Sequence, residues 1–275
     1  MNRNAMAGED FKNGATMRDR RARKPINFVK SDTGEAVAFV PLEVLDWKGT
    51  EVAFEAPNVA ALFFSSAERS LHKARDLFTS LCDLHKTVDS YGMVPKSTLS
   101  SIYDYLEEIQ TSIVSVYSGA EAITNLAIPD DYTRTVVNSK QIEETWTKKS
   151  IERWLSLTEK ISKILPGILG TPGPQGNPHW SDFKRLEALR NEIVHPKTES
   201  RDIAKVTQTL ASRLMHISVF TYIGSGFEVA RTIALSDASH VEFPTGFGNA
   251  QQGVVVVDEF PKMTPFNRQR ETDST

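Results

Sequence analysis

Residues 99–123, LSSIYDYLEEIQTSIVSVYSGAEAI, carry the pattern that decides the fold. Leu99, Ile102, Leu106, Ile109, Ile113, Val116, Ala120 and Ile123 recur in alternating steps of three and four. That spacing returns to one face of a helix at every turn, so the stretch reads as a long amphipathic helix whose seam packs against another helix. Ile128-Pro129-Asp130-Asp131 closes it, because the residue before a proline is driven out of the helical region.

The same period extends outward in both directions. Upstream, from Pro57 to about Val88, Leu71, Ala74, Leu77, Phe78, Leu81, Leu84 and Val88 mark another helix. Downstream, a third is expected within residues 139–165, with Ile151, Trp154, Leu155, Ile161, Ile164 and Leu165 on one side. Glycine and proline then punctuate Pro166 to Gly176 repeatedly and stop it. A fourth starts at Asn177-Pro178 or Ser181-Asp182, turns Phe183, Leu186, Leu189 and Ile193 inward, and stops near His195 because Pro196 follows. A fifth begins near Ser200, with Ile203, Val206, Leu210, Leu214 and Ile217 in step, and runs through Gly224 and Gly226 to about Leu235.

The flanks read differently. In residues 25–56 the pieces VAFVPLEVL and EVAFEA surround Asp46-Trp47-Lys48-Gly49-Thr50, the signature of a hairpin. Gly253 to Asp258 reads as a strand able to join it. The expected fold class is therefore all-α: an antiparallel bundle of about five long helices with a small β appendage. The expected divisions are a disordered basic tail at 1–24, the hairpin at 25–56, the helical domain at 57–235, and a C-terminal tail with a strand at 236–275.

Composition excludes several classes. A chain of 275 residues, 40% hydrophobic and 24% charged with net charge −3, is ordinary for a globular protein and is not one that coats nucleic acid non-specifically. Any contact with RNA must be local, and the run Arg18 to Lys24 reads first as a solubilising tail. The single cysteine, Cys82, lies between Leu81 and Leu84 and reads as a small buried hydrophobe in a reducing compartment. No apolar run is long enough to span a membrane, and the N-terminus lacks a secretory pattern, so a cytoplasmic protein is expected. There is no P-loop, HExxH, paired CxxC or GxSxG, and His72, His85, His179, His216 and His240 lack metal-ligand spacing. Neither a metal nor a cofactor is expected.

One short motif remains, Leu189-Arg190-Asn191-Glu192-Ile193-Val194-His195-Pro196. At ~100° per residue, His195 falls about 140° around the helix from Arg190, with the core-facing Leu189 and Ile193 on the other side. A planar guanidinium suits a phosphate, and imidazole is the side chain fitted to exchanging protons near neutrality. The same residues also satisfy a simpler need, since cations complement the carbonyls that end a helix. The spacing alone leaves both readings open.

The motif resembles the signature of the HEPN family, the higher-eukaryote and prokaryote nucleotide-binding domains. In that family an arginine, often followed by a polar residue, precedes a histidine near the end of a bundle helix. Tyr117 to Asn125, YSGAEAITN, is similar to the family's early helix, where an acidic residue faces the site. The resemblance spans about residues 57–235 and implies a metal-independent endoribonuclease acting as a homodimer, with two motifs meeting across a cleft. By that resemblance Arg190 stabilises the scissile phosphate, His195 moves the 2′-hydroxyl or leaving-group proton, and Asn191 orients them. Glu121, Asn125 and Lys197 are the implied supporting residues. One subtype carries a tyrosine two residues after the histidine as the target of a partner nucleotidyltransferase; Lys197 stands there in this chain. The implied setting is stress response, a toxin–antitoxin pair or phage defence, with RNA as substrate and an antitoxin or regulatory protein as partner. Other members are non-catalytic modules for dimerisation and for binding nucleotide, RNA or protein, which is the alternative.

Overall fold

In the computed structural model the periodic stretch is one helix, set among strands and shorter helices over the described residues 18–89, 92–137, 141–196, 209–237, 240–247 and 253–261. In chain order the elements are β1 (Ile26–Lys30), β2 (Ala36–Phe39), β3 (Leu42–Trp47), β4 (Thr50–Glu55), α1 (Val59–Leu81), α2 (Lys96–Leu126), β5 (Thr133–Val137), β6 (Glu143–Thr147), α3 (Lys148–Trp154), α4 (Leu157–Glu159), α5 (Leu165–Leu169), α6 (Trp180–Val194), α7 (Leu210–Leu214), α8 (Ser218–Ser236) and β7 (Gly253–Val257). A π-helical turn, Lys160–Ile164, joins α4 to α5.

The α2 seam does what its spacing predicts. Ile109, Ile113, Val116, Ala120 and Ile123 are buried against Phe64, Ala67, Leu71 and Ala74 of α1 and against the apolar faces of α6 and α8. Each buried isoleucine contributes roughly 1.5–3 kcal/mol. Two glycines let the helices approach. A Cβ on Gly119 would stand 2.8 Å from the Phe64 ring, and one on Gly226 would stand 2.9 Å from both Val116 and Leu186. Gly226 thus belongs to helix packing, whereas a Cβ at Gly224 would meet nothing within 4 Å. Ser112 Oγ, fully buried, donates to the Ala67 carbonyl at 3.0 Å and ties α2 to α1. At the start of α1 the Asn58 side chain accepts from the Ala61 amide at 3.0 Å, satisfying one of the free N–H groups of the first turn.

The all-α expectation is overturned. Among the described residues seven strands form three small sheets, so the protein is a mixed α/β fold rather than a bundle of five long helices. Residues 25–56 hold two strand pairs where one hairpin was expected: β1 pairs antiparallel with β2, and β3 with β4. The C-terminal strand β7 forms, but it pairs in parallel with β1 and not with the β3–β4 hairpin. The third expected helix is largely a strand pair and short helices. β5 and β6 are rich in Thr and Val, residues that fit a pleated surface, although Glu143 and Glu144 disguise the alternation. Thr147 then caps α3, and Ser156 with Glu159 forms a capping box on α4.

Smaller corrections follow from the same packing. α1 stops at Leu81, so Leu84 falls in a single 3₁₀ turn, Val88 is exposed, and Cys82 is exposed instead of buried. Trp154, expected inward, is 66% exposed. Residues 197–208, which include Lys197, Ile203 and Val206, lie outside the described residues, and the following chain forms the short α7 before α8.

The basic run is docked. Arg18 pairs with Glu55 at 2.7 Å, Arg20 with Glu68, and Arg23 with Glu242 at 3.6 Å. Lys24 is buried and donates to the His240 carbonyl at 2.9 Å, so residues 18–24 strap the sheets to α1 and the 240–243 loop. Residues 1–17 of the expected tail lie outside the described residues. Among the described residues no helix is long and apolar enough to cross a membrane.

Candidate functional site

Phe183, Leu186 and Leu189 anchor one face of α6 in the core, and Arg190 follows at the edge of that face. Its guanidinium is therefore half-buried and turned inward over the ring of Tyr117 on α2, with Cζ 5.0 Å from the ring centroid. Nη1 donates to Asn191 Oδ1 at 3.1 Å. Nε is buried and has no hydrogen-bond partner. An unpaired buried donor costs about 1–3 kcal/mol, so it marks either a strained packing position or a donor kept for an acceptor that arrives with a ligand.

The surface beneath Arg190 is itself held. The Tyr117 hydroxyl donates to Glu187 Oε1 at 2.8 Å, and Glu187 Oε2 accepts from Thr158 Oγ1 at 2.8 Å. Glu187 thereby links α2, α4 and α6 one turn before Arg190. Burial, reinforced by the Glu187 carboxylate, pushes the Tyr117 hydroxyl well above its ordinary pKa, so it acts as a neutral donor and a fixed ring.

A second cluster adjoins the first. Lys160, the first residue of the π-helical turn, is fully buried, and its Nζ lies 3.1 Å from Glu121 Oε1 and 3.1 Å from Asn125 Oδ1. Tyr117, Glu121 and Asn125 recur every fourth residue along α2, so both clusters share one helix face. π-helical turns accumulate at functional sites because the extra residue re-aims side chains. The implied supporting residues Glu121 and Asn125 are thus brought together, around a lysine rather than around Arg190. Lys160 was not singled out by the sequence reading, although a lysine among Leu157, Ile161 and Ile164 on an inward stripe was a visible sign. Asn125 also lines a cavity of about 220 Å³ with Arg23, Lys148, Glu152 and Glu242.

His195 caps α6. Its amide donates to the Asn191 carbonyl at 2.9 Å, its backbone (φ −122°, ψ 67°) has left the helix, and its side chain is exposed. Asn191 is also exposed, so the motif divides into an inward arginine and an outward asparagine and histidine. Glu192 pairs with Arg213 of α7, one oxygen at 2.9 Å from Nη1. Lys197 lies outside the described residues.

The chain matches no protein-family model, no curated protein and no solved structure. The remaining chemistry must be read from the residues. His240 is half-buried, stacks on Phe243 at 4.1 Å, and accepts from the Glu242 amide at Nδ1, leaving Nε2 to donate to the Leu126 carbonyl at 3.1 Å. Both ring nitrogens are used in packing. Among the described residues no group of three or more His, Cys, Asp or Glu is placed to hold a metal ion. What the α6 end offers is a cation stacked on a fixed ring, an amide beside it, and an exposed imidazole at the helix end.

Proposed function

We propose that this chain is a HEPN-like, metal-independent endoribonuclease. The observation that carries the reading is the Arg190–Asn191 hydrogen bond in the last turn of a helix that His195 caps. In this reading the guanidinium binds the scissile phosphate and stabilises the charge that builds on its oxygens, while Asn191 fixes the guanidinium plane. The 2′-oxygen attacks phosphorus and gives up its proton, and the bond to the 5′-oxygen breaks. His195 takes the first proton or supplies the one the leaving oxygen needs, and solvent water supplies or accepts the other. The products are a 2′,3′-cyclic phosphate and a 5′-hydroxyl, with atoms and charge balanced and no cofactor consumed.

The reading extends to a cytoplasmic homodimer in which two motifs face one RNA cleft, working in stress response, a toxin–antitoxin pair or phage defence under an antitoxin or regulatory protein. A second reading is favoured by a specific observation: Arg190 is stacked inward with its Nε buried. In a non-catalytic module for dimerisation or nucleotide, RNA or protein binding, the same stacking would simply close the helix end.

RNA cleavage in EDTA separates them, comparing wild type with His195→Ala, Arg190→Lys and Arg190→Ala, each checked for folding by circular dichroism. Loss of cleavage in His195→Ala and Arg190→Lys with folding intact supports the nuclease. Wild-type inactivity towards structured and single-stranded RNA, or equal activity in all variants, overturns it.

A further inference from the structure

We infer that the cleft between α5, the loop after it and the end of α8 is a binding site for a small, uncharged, mainly apolar molecule that carries one hydrogen-bond donor, a hydroxyl or an N–H. The cleft has a volume of about 490 Å³. Small-molecule sites span roughly 300–1,000 Å³ and are lined mainly by apolar groups with a few polar ones to fix orientation. None of the lining residues belongs to the α6 motif, so the inference stands whether or not the chain cuts RNA.

Three segments build it. The π-helical turn and α5 supply Ile161 and Leu165, α8 supplies Val229 and Ile233, and all four are buried, which makes an apolar floor. The loop after α5 forms the facing wall, and it is braced. Gly170 ends α5 in the left-handed region (φ 63°), and the Thr171 amide donates to the Pro166 carbonyl at 3.2 Å. The 3₁₀ turn Pro174–Gly176 is closed by the Asn177 amide on the Pro174 carbonyl at 2.9 Å. Pro166, Pro172 and Pro174 each fix φ along this stretch. A wall shaped before a ligand arrives loses little freedom on binding.

The polar groups select the chemistry. Among the described residues no Asp, Glu, Lys, Arg or His lines the cleft, so a charged ligand would leave water without meeting a counter-charge. On α8 two hydroxyls one turn apart have already spent their protons. Thr232 Oγ1 donates to the Glu228 carbonyl at 2.8 Å, and Ser236 Oγ donates to the Thr232 carbonyl at 2.9 Å. What they offer a ligand is lone pairs. Across the loop, Asn177 Oδ1 accepts from the His179 amide at 2.8 Å, and Nδ2 is directed to Thr232 Oγ1 at 3.5 Å. Apart from Thr171, whose hydroxyl can serve either way, the α8 side of the cleft is therefore rich in acceptors. A ligand matches it with its own O–H or N–H and lays an aromatic or alicyclic body on the floor. Water over that floor has few partners, so an apolar body that displaces it gains affinity.

The test is equilibrium dialysis of the full chain against three probes of nearly one shape: diphenylamine, which is neutral with one N–H; diphenyl ether, which lacks the donor; and diphenylamine carrying a ring carboxylate. Diphenylamine is expected to saturate at one molecule per chain. The ether should bind about fivefold more weakly, the worth of one hydrogen bond, and the carboxylate more than tenfold more weakly. Ser236→Trp, at an exposed position on the rim, should block the cleft and weaken diphenylamine by about tenfold or more, with circular dichroism unchanged. Thr232→Val/Ser236→Ala removes the acceptors and keeps the floor, so it should bring diphenylamine down to the affinity of the ether and leave the ether unchanged. Absence of saturable binding by both neutral probes, or binding that Ser236→Trp does not weaken, overturns the site. A carboxylate that binds as tightly as diphenylamine overturns the neutral class, and equal wild-type affinity for amine and ether overturns the donor.

Discussion

Arg190 rests on Tyr117, its guanidinium carbon 5.0 Å from the ring centroid, and Tyr117 is in turn fixed through its hydroxyl to Glu187 at 2.8 Å. The ring and the hydroxyl therefore have separable jobs. Tyr117→Phe keeps the ring and removes a donor to a carboxylate, a change of about 1.5–3 kcal/mol when the acceptor is charged. Tyr117→Ala removes the ring as well and should cost about 3–5 kcal/mol. Urea unfolding of both variants checks the order. If Phe destabilises as much as Ala, the ring is not what holds this corner.

Lys160 supplies a sharper case, because a fully buried ammonium has its charge matched by Glu121 at 3.1 Å. Lys160→Met removes the charge and keeps most of the volume, leaving the partly exposed Glu121 without its cation, and is expected to destabilise by about 1–3 kcal/mol. Combining it with Glu121→Gln should recover part of that loss, with a coupling of about 1 kcal/mol or more in a double-mutant cycle. Strict additivity would show that the contact contributes nothing beyond its members.

How legible this was follows from which interactions are local. The α2 seam was readable because Ile109, Ile113, Val116 and Ile123 keep an unbroken period and all are fully buried. Leu84 and Val88 keep the period of α1 past its end, but nothing in spacing says that the chain stops helical at Leu81. Cys82 was misplaced for the same reason: one position past a buried leucine is about 100° around the helix, toward solvent. Strands β5 and β6 were hidden by Glu143 and Glu144, which are exposed on a pair open to water. At the site, Arg190, Asn191 and His195 share a few residues of one helix and were visible together. The Lys160–Glu121–Asn125 and Tyr117–Glu187–Thr158 contacts join residues from distant parts of the chain, so only the packing of α2 against α4, the π-helical turn and α6 reveals them.

Two glycines two positions apart on α8 should respond to alanine with opposite signs. A Cβ at Gly226 meets Val116 and Leu186 at 2.9 Å, inside a three-helix contact that cannot open without moving a core side chain. Gly226→Ala should cost about 1–3 kcal/mol. At Gly224 a Cβ meets nothing within 4 Å, so Gly224→Ala should be neutral or stabilise by up to about 1 kcal/mol through helix propensity. Paired thermal and urea unfolding measures both. Equal destabilisation would mean that α8 does not sit against α2 and α6 as described.

His240 gives the pH dependence. Burial lowers its pKa below the ordinary 6.5, with Asp237 and Glu242 opposing in part, and protonation would put a proton on the Nδ1 that accepts from the Glu242 amide. Because the folded value is depressed, the unfolded chain binds the proton first as pH falls. The contribution of neutral His240 is thus fully present above about pH 6.5 and is lost as pH drops toward the folded value. Between about pH 7 and about pH 5, wild type should lose more stability than His240→Gln, which has no proton to gain. The difference of the two urea-derived stability curves isolates this residue from the carboxylates that titrate in both. Parallel curves would show that His240 is as readily protonated in the folded chain as in the unfolded one, and that the stacking on Phe243 does not hold it neutral.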